Sequence, residues 1–232
     1  MDMETETAQV KVIAHIRSDF STKFGIPRQS GLVQELQGKI VFEPEFRSPE
    51  AVRGLDAFSH IWLLWQFSKA HKARWSPTVR PPRLGGDKRV GVFATRSPFR
   101  PNDIGLSSVR LQRVEIDSHD GPVLYVSGAD LVDGTPIYDI KPYLPYVDCH
   151  PDATEGYTGQ TRLHQLQVEF PAELLARYPQ DKQAAIVHVL EQDPRPAYIN
   201  DPERIYGLSF AGYDVKFKVE GDRLIVCDVV KL

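Results

Sequence analysis

The run Phe58–Phe67, FSHIWLLWQF, is almost wholly apolar and stops at the polar pair Ser68 and Lys69. Its short length and aromatic content suit a buried strand. On either side of it, period-two alternation gives further candidate strands at Gln9–Ile16, Gly38–Phe46, Arg89–Thr95, Leu106–Ile116 and Val123–Leu131. No segment of helical period and convincing length interrupts them, so a barrel or closed antiparallel sheet is expected rather than a βαβ fold. SPTVRPPRLGG (Ser76–Gly86) reads as a long loop, and the Asp-Gly pairs in HDGP and VDGT suit turns with positive φ.

Past residue 148 the pattern changes. CHPDATEGYTGQT (Cys149–Thr161) is polar, turn-rich and nearly free of aliphatic side chains, as a connector would be. RLHQLQVEF then reads as a strand, a helix is expected after Pro171, a second near Lys182–Gln192, and a hairpin closed by VEGDRL. The expectation is a mainly β chain: a barrel-like domain over residues 1–150, a linker over 151–161, and a small α+β domain over 162–232.

With 232 residues, 41% of them hydrophobic, the chain can bury a sizeable core. No stretch approaches the roughly 20 apolar residues of a membrane span, and MDMETETAQ lacks the pattern of a signal peptide. A cytoplasmic protein without membrane attachment is therefore expected. Cys149 and Cys227 are too few for a disulfide framework, and adjacent residues such as Cys149 and His150 seldom converge on one ion, so no metal is expected. The absence of G-x-G-x-x-G after a strand leaves a Rossmann cofactor site unsupported. The net charge of -3 conceals a cationic middle: Lys69 to Arg113 holds eleven Lys and Arg against Asp87 and Asp103. Such clustering is the electrostatic signature of a phosphate-bearing partner, with a solvated face as the alternative.

Four loops combine proline with polar side chains. In RVGVFATRSPFRPNDIG (Arg89–Gly105) Pro98 and Pro101 hold Ser97 and Arg100 extended, so an arginine can be presented to an anion at low ordering cost. A rigid barrel corner would use the same residues. FGIPRQSG (Phe24–Gly31), DLVDGTPIYDIKPYLPYVD (Asp130–Asp148) and QDPRPAY (Gln192–Tyr198) repeat the theme. His60 reads as a core histidine rather than a base, Trp62 and Trp65 as core or interface, and Tyr138, Tyr143 and Tyr146 as stacking candidates.

PRQSGLV, AVRGLDAFSHIWLL, PTVRPPRLGG, GVFATRSPFRPNDIGLS, LVDGTPIYDIKPYLPY and QDPRPAY occur in that order along the chain. Together they resemble the TrmO (TsaA) family of tRNA methyltransferases. The resemblance implies an S-adenosylmethionine-binding β-barrel, a small C-terminal domain, and a homodimer with cofactor sites near the subunit interface. The implied reaction is methylation of N6 of threonylcarbamoyl-adenosine, next to the anticodon. Carried over residue by residue, the cofactor positions fall on Pro27, Arg28, Gln29, Arg96, Asp133, Gly134, Thr135 and Pro136. Ser68 and Lys69, also expected at the cofactor, stand where relatives often have a His or another polar group, and Asp103 replaces a proline of the relatives' loop. Lys72, Arg74, Arg80, Arg83 and Arg100 are expected to meet tRNA phosphates, and Asp193, Arg195 and Tyr198 to place the anticodon loop, with a helix-to-strand corner in which Arg195 pairs with Asp193 as the alternative. Asp133 or Asp139 is the candidate general base. A noncatalytic RNA-binding barrel that has kept the fold is the alternative reading.

Overall fold

The computed structural model describes residues 7–69, 75–81, 84, 88–160, 164–195 and 201–232. The strands of its first part are β1 (Ala14–Ser18), β2 (Gln37–Phe42), β3 (His60–Gln66), β4 (Thr78–Val79), β5 (Val90–Gly91), β6 (Ile104–Ser118), β7 (Gly121–Ser127) and β8 (Pro136–Pro142). Six of them close a barrel in the order β1-β2-β7-β6-β3-β8, every neighbouring pair antiparallel. The fold is mainly β, as the alternation implied.

Inside β3 the apolar run resolves into two faces: Ile61, Leu63 and Trp65 point into the core, while His60, Trp62, Leu64 and Gln66 are partly exposed. The partner strand β6 sends Ser107, Val109 and Leu111 inward until a register shift between Leu111 and Arg113 kinks it. Gly105 sits beneath the Trp65 indole, where any Cβ would overlap the ring.

Four expectations about strands need correction. Residues 136–142 read as a stiffened loop, yet they form β8, which closes the barrel by pairing with β1 at Ala14↔Ile137 and with β3 at Ile61↔Pro142. Pro136 and Pro142 lie at the two ends of this strand, positions where a missing N–H is tolerated. The expected strand Arg89–Thr95 shrinks to Val90–Gly91, paired with Thr78–Val79 outside the barrel, because the Val92 N–H bonds Pro77 O and the chain then turns through a 3-10 segment, Val92–Ala94. Gln9–Ile16 starts as a strand only at Ala14, and Gly38–Phe46 ends at Phe42, since Pro44 opens a 3-10 turn.

The second part begins after the single-turn helix α1 (Pro145–Asp148) and a 3-10 segment, Gly156–Gln160, which lies in the stretch expected to be linker. There follow β9 (Gln167–Glu169), α2 (Ala172–Leu175), α3 (Gln180–Glu191), β10 (Tyr206–Phe210), β11 (Tyr213–Glu220) and β12 (Arg223–Lys231). The sheet runs β10-β11-β12-β9, with β9 parallel to β12. No helix among the described residues is long and apolar enough to cross a membrane.

The side chains form two cores. One fills the barrel, and the other lies between α3 and the C-terminal sheet. Phe20, Val33 and Leu36 belong to the second core although they precede β2 in the chain. Phe20 packs on Phe210 at 5.2 Å, the Ala211 N–H donates to Asp19 O at 2.9 Å, and Lys182 Nζ reaches Asp19 Oδ2 at 2.6 Å. Gly25, at φ 86°, lies so close to Leu208 that a Cβ there would overlap its side chain. The connection from β1 to β2 is thus held by the C-terminal sheet. Phe20→Ala, which empties a fully buried site, is expected to cost about 3 to 5 kcal/mol. A denaturant titration that finds less than about 1 kcal/mol would show that this connection is not part of the cooperative core.

Candidate functional site

The site is built from loops at one end of the barrel. After β5 the chain bonds back on itself: Thr95 Oγ1 donates to Val92 O at 2.8 Å, and the Ser97 N–H to Thr95 Oγ1 at 3.2 Å. Arg100 Nη1 donates to Thr95 O at 2.6 Å, and its guanidinium lies 5.8 Å from the Phe93 ring centroid. Arg100 therefore braces the loop that carries Arg96. Arg96 projects across to the connection between β1 and β2, where Nη1 donates to Gln29 Oε1. That connection is pinned to the barrel by the Gly31 N–H on Gly128 O and the Gly128 N–H on Leu36 O, both at 2.8 Å.

Beneath the Arg96–Gln29 contact lies a cavity of about 490 Å³. This is within the size range of small-ligand sites. The structure brings Pro27, Arg28, Gln29, Ser68, Lys69, Arg96, Arg100 and Thr135 into its wall, with Phe67, Leu131 and Val132 supplying apolar surface. Lys69 is drawn in by a 2.8 Å bond from Nζ to Ser21 O. A second cavity of about 800 Å³ shares the wall formed by Arg28, Gln29, Arg96, Pro98 and Phe99 and is bordered by Arg80, Arg89 and Tyr157.

Known proteins resemble this chain in both of its parts. The tRNA-methyltransferase O N-terminal domain matches residues 15–149, and the TrmO C-terminal domain matches residues 163–232. The chain belongs to the TrmO family. A relative from Escherichia coli K12 called tRNA (adenine(37)-N6)-methyltransferase is 44% identical over 91% of this chain and 93% of its own length. A Pseudomonas aeruginosa PAO1 protein called a putative S-adenosylmethionine-dependent methyltransferase is 41% identical over 96% of this chain and 98% of its own. A crystal structure of TrmO from P. aeruginosa superposes with a TM-score of 0.80 at 37% identity, covering all of both chains.

Not every expected site residue reaches the first cavity. Asp133 accepts the Ser18 N–H at 3.1 Å and lies 3.8 Å from Arg17, and the Gly134 N–H bonds Ile16 O with φ at 76°. The DGTP turn, with Pro136 opening β8, thus bends the chain and delivers Thr135 to the wall. Asp139 pairs with Lys141 at 2.7 Å and borders a different cavity, beside Tyr138. The carboxylate that does line the first cavity is Asp130, which the sequence alone did not single out. Its Oδ1 accepts the Ser107 hydroxyl at 2.6 Å, and Ser107 Oγ accepts the Trp65 indole N–H at 3.0 Å. Burial pushes the Asp130 pKa up, only partly offset by hydrogen bonds from Ser107 and the backbone and by the charge of Arg96. A polar Ser107 in the inward phase of β6, next to Val109 and Leu111, was the available signal that a buried partner exists.

The expected tRNA contacts divide. Arg80 is exposed beside the second cavity, whereas Lys72, Arg74, Arg83 and Tyr198 lie outside the described residues. Arg195 grips Asp193 with both ends of its fork, at 2.8 and 3.0 Å, and His164 adds a third bond at 2.8 Å. This pair closes the corner after α3, where Asp193 has φ 51°, so the geometry gives Arg195 a local partner instead of a phosphate. His60, on the outer face of β3, bonds Ser59 and does not line the cavity.

Burial alone would raise the Asp193 pKa, but the bonds from Arg195 and His164 outweigh it and hold the carboxyl below its usual range. A depressed carboxyl pKa stabilises the fold above the usual aspartate range and loses that effect as pH falls through the folded value. Asp193→Asn, which tolerates the positive φ but strands a buried guanidinium, is expected to lower stability by about 3 kcal/mol at pH 7. The gap to the unsubstituted protein should narrow below about pH 4 in denaturant titrations. A pH-independent gap would rule out the charged pair as its cause.

Proposed function

We propose that this chain transfers the methyl group of S-adenosylmethionine to N6 of the adenosine at tRNA position 37, the activity in the name of its E. coli relative. We infer that the acceptor is threonylcarbamoyl-adenosine and that the protein acts as a cytoplasmic homodimer. The observation that carries the reading is the Arg96–Gln29 contact over a cavity with an apolar floor in a TrmO-family chain. Phe67, Leu131 and Val132 suit the adenosyl part of the cofactor, and a guanidinium at the rim suits its carboxylate. S-adenosylmethionine supplies an activated methyl group, so the protein's task is to align donor and acceptor. Gln29 and Arg96 orient the cofactor's polar end, and Pro27 with Arg28 forms the adjoining wall.

The second cavity, with Arg80 and Arg89 at its border, suits the approach of tRNA phosphates, and in the sequence Lys72, Arg74 and Arg83 continue the same cationic segment. The barrel would hold the cofactor, and residues 162–232 would support tRNA placement and the connection that carries Gln29. Exposed Ile104 and Leu106, both at the cavity wall, supply apolar surface for a second copy.

Isothermal titration with S-adenosylmethionine and mass spectrometry of nucleosides from treated tRNA test the reading together. Arg96→Ala should weaken cofactor binding by about 1.5 to 3 kcal/mol, the worth of a charge-assisted hydrogen bond. Unchanged affinity in a folded variant would remove Arg96 from the site. Tight tRNA binding with no cofactor titration would instead favour the noncatalytic barrel. Glu at both Arg80 and Arg89 should weaken tRNA binding and flatten its salt dependence by about one unit of slope for each phosphate no longer neutralised. An unaltered slope would make these side chains a solvated face.

A further inference from the structure

Asp130 is the one acidic residue in the wall of the first cavity among the described residues, and it shares that wall with Lys23, Arg28, Lys69, Arg96 and Arg100. Its orientation is dictated from below. The Trp65 N–H occupies one lone pair of Ser107 Oγ, so the hydroxyl proton must point at Asp130 Oδ1. The Ser30 N–H, from the connection that carries Gln29, also bonds the carboxyl. Neighbouring cations are engaged elsewhere: Arg96 donates to Gln29, Lys69 to Ser21 O and Arg100 to Thr95 O. Asp130 thus accepts hydrogen bonds from neutral donors, with the charge of Arg96 nearby, and faces a cavity sized for a small ligand.

We propose that Asp130 accepts the proton that the acceptor nitrogen must lose during methyl transfer, a role that rests on the methyltransferase reading above. The nitrogen forms its bond to the methyl carbon as the carbon–sulfur bond breaks, and the electron pair of that bond stays on sulfur, which becomes a neutral thioether. The N–H proton passes to the Asp130 carboxylate and then to water. The lone pair of an exocyclic amino nitrogen is delocalised into the base, so losing the proton as the new bond forms helps the transfer. The upward push on the Asp130 pKa brings its proton affinity nearer to neutral pH, where a general base is effective.

The test compares the unsubstituted protein with Asp130→Asn and Ser107→Ala, using S-adenosylmethionine, S-adenosylhomocysteine and tRNA from cells lacking the activity. Asp130→Asn should bind both small ligands within about threefold of the unsubstituted protein, lose about 10²-fold or more in kcat, and lose the acidic limb of its pH–rate profile. Ser107→Ala keeps the carboxylate but removes a donor that favours its charged form, so its acidic limb should move to higher pH. Retention of the normal rate and acidic limb by Asp130→Asn would overturn the proposal. So would a selective loss of S-adenosylmethionine binding with S-adenosylhomocysteine unaffected, which would make Asp130 a counter-ion to the sulfonium. If Asp130→Asn does not fold, an unmoved limb in Ser107→Ala overturns it equally. Absence of any methylation by the unsubstituted protein would remove the underlying function itself, a failure separable from that of Asp130.

Discussion

A serine hydroxyl has one proton, and inside the barrel the proton of Ser107 has one direction left to it. Because the Trp65 indole donates to its oxygen at 3.0 Å, the hydroxyl must donate to Asp130 at 2.6 Å. A polar chain in an apolar core is tolerated only when every member is satisfied. This one fixes three elements at once: β3 through Trp65, β6 through Ser107, and the turn after β7 through Asp130. Gly105 is part of the same constraint, since the indole lies where its side chain would be. The barrel interior is thus polar at one end, and the loops bearing Gln29, Lys69 and Arg96 converge on that end.

Those loops are stiffened by different means. The Arg96 loop is self-contained, its carbonyls at Val92 and Thr95 held by Thr95 and Arg100. The Gln29 loop depends on distant sequence, because Phe20, Val33 and Leu36 on either side of it are buried with the C-terminal sheet. The wall of the cavity therefore joins a local structure to one that exists only when the far end of the chain has folded. The C-terminal sheet contributes to the site without lining it.

Much of the fold was legible because a half-buried strand advertises itself in its side-chain period. The aromatic run gave β3 and the alternation gave β6, both within about two residues of their observed ends. The closing strand β8 was hidden because its terminal prolines and Asp-Gly turn resemble a loop, and only the pairing on both sides reveals it as a strand. Long-range pairing also hid Asp130: in GADLVDGTP an aspartate before a turn reads as a turn residue, and nothing local shows that Ser107 lies against it. QDPRPAY misled in the opposite sense. Proline made Arg195 look presented to a ligand, whereas the aspartate two residues earlier had already taken its fork. Composition shows that cations are clustered but not which of them have carboxylate partners.

That distinction separates the cavity from the rest of the surface. Elsewhere arginines meet carboxylates, as Arg195 does Asp193, Arg177 does Asp228 and Arg53 does Glu50. Around the two cavities four cations donate to neutral oxygens instead: Arg96 to an amide, Lys69 and Arg100 to backbone carbonyls, and Arg89 to the hydroxyl of Thr78. A hydrogen bond to a neutral oxygen fixes the direction of a guanidinium or ammonium group without cancelling its charge. Near a protein surface a unit charge still interacts with an anion 4 Å away by about 4 kcal/mol before desolvation, an attraction that a carboxylate partner would largely neutralise. Cations positioned by neutral oxygens are the arrangement that a polyanionic substrate requires, and here they are gathered at the end of the barrel where Asp130 accepts the Ser107 hydroxyl.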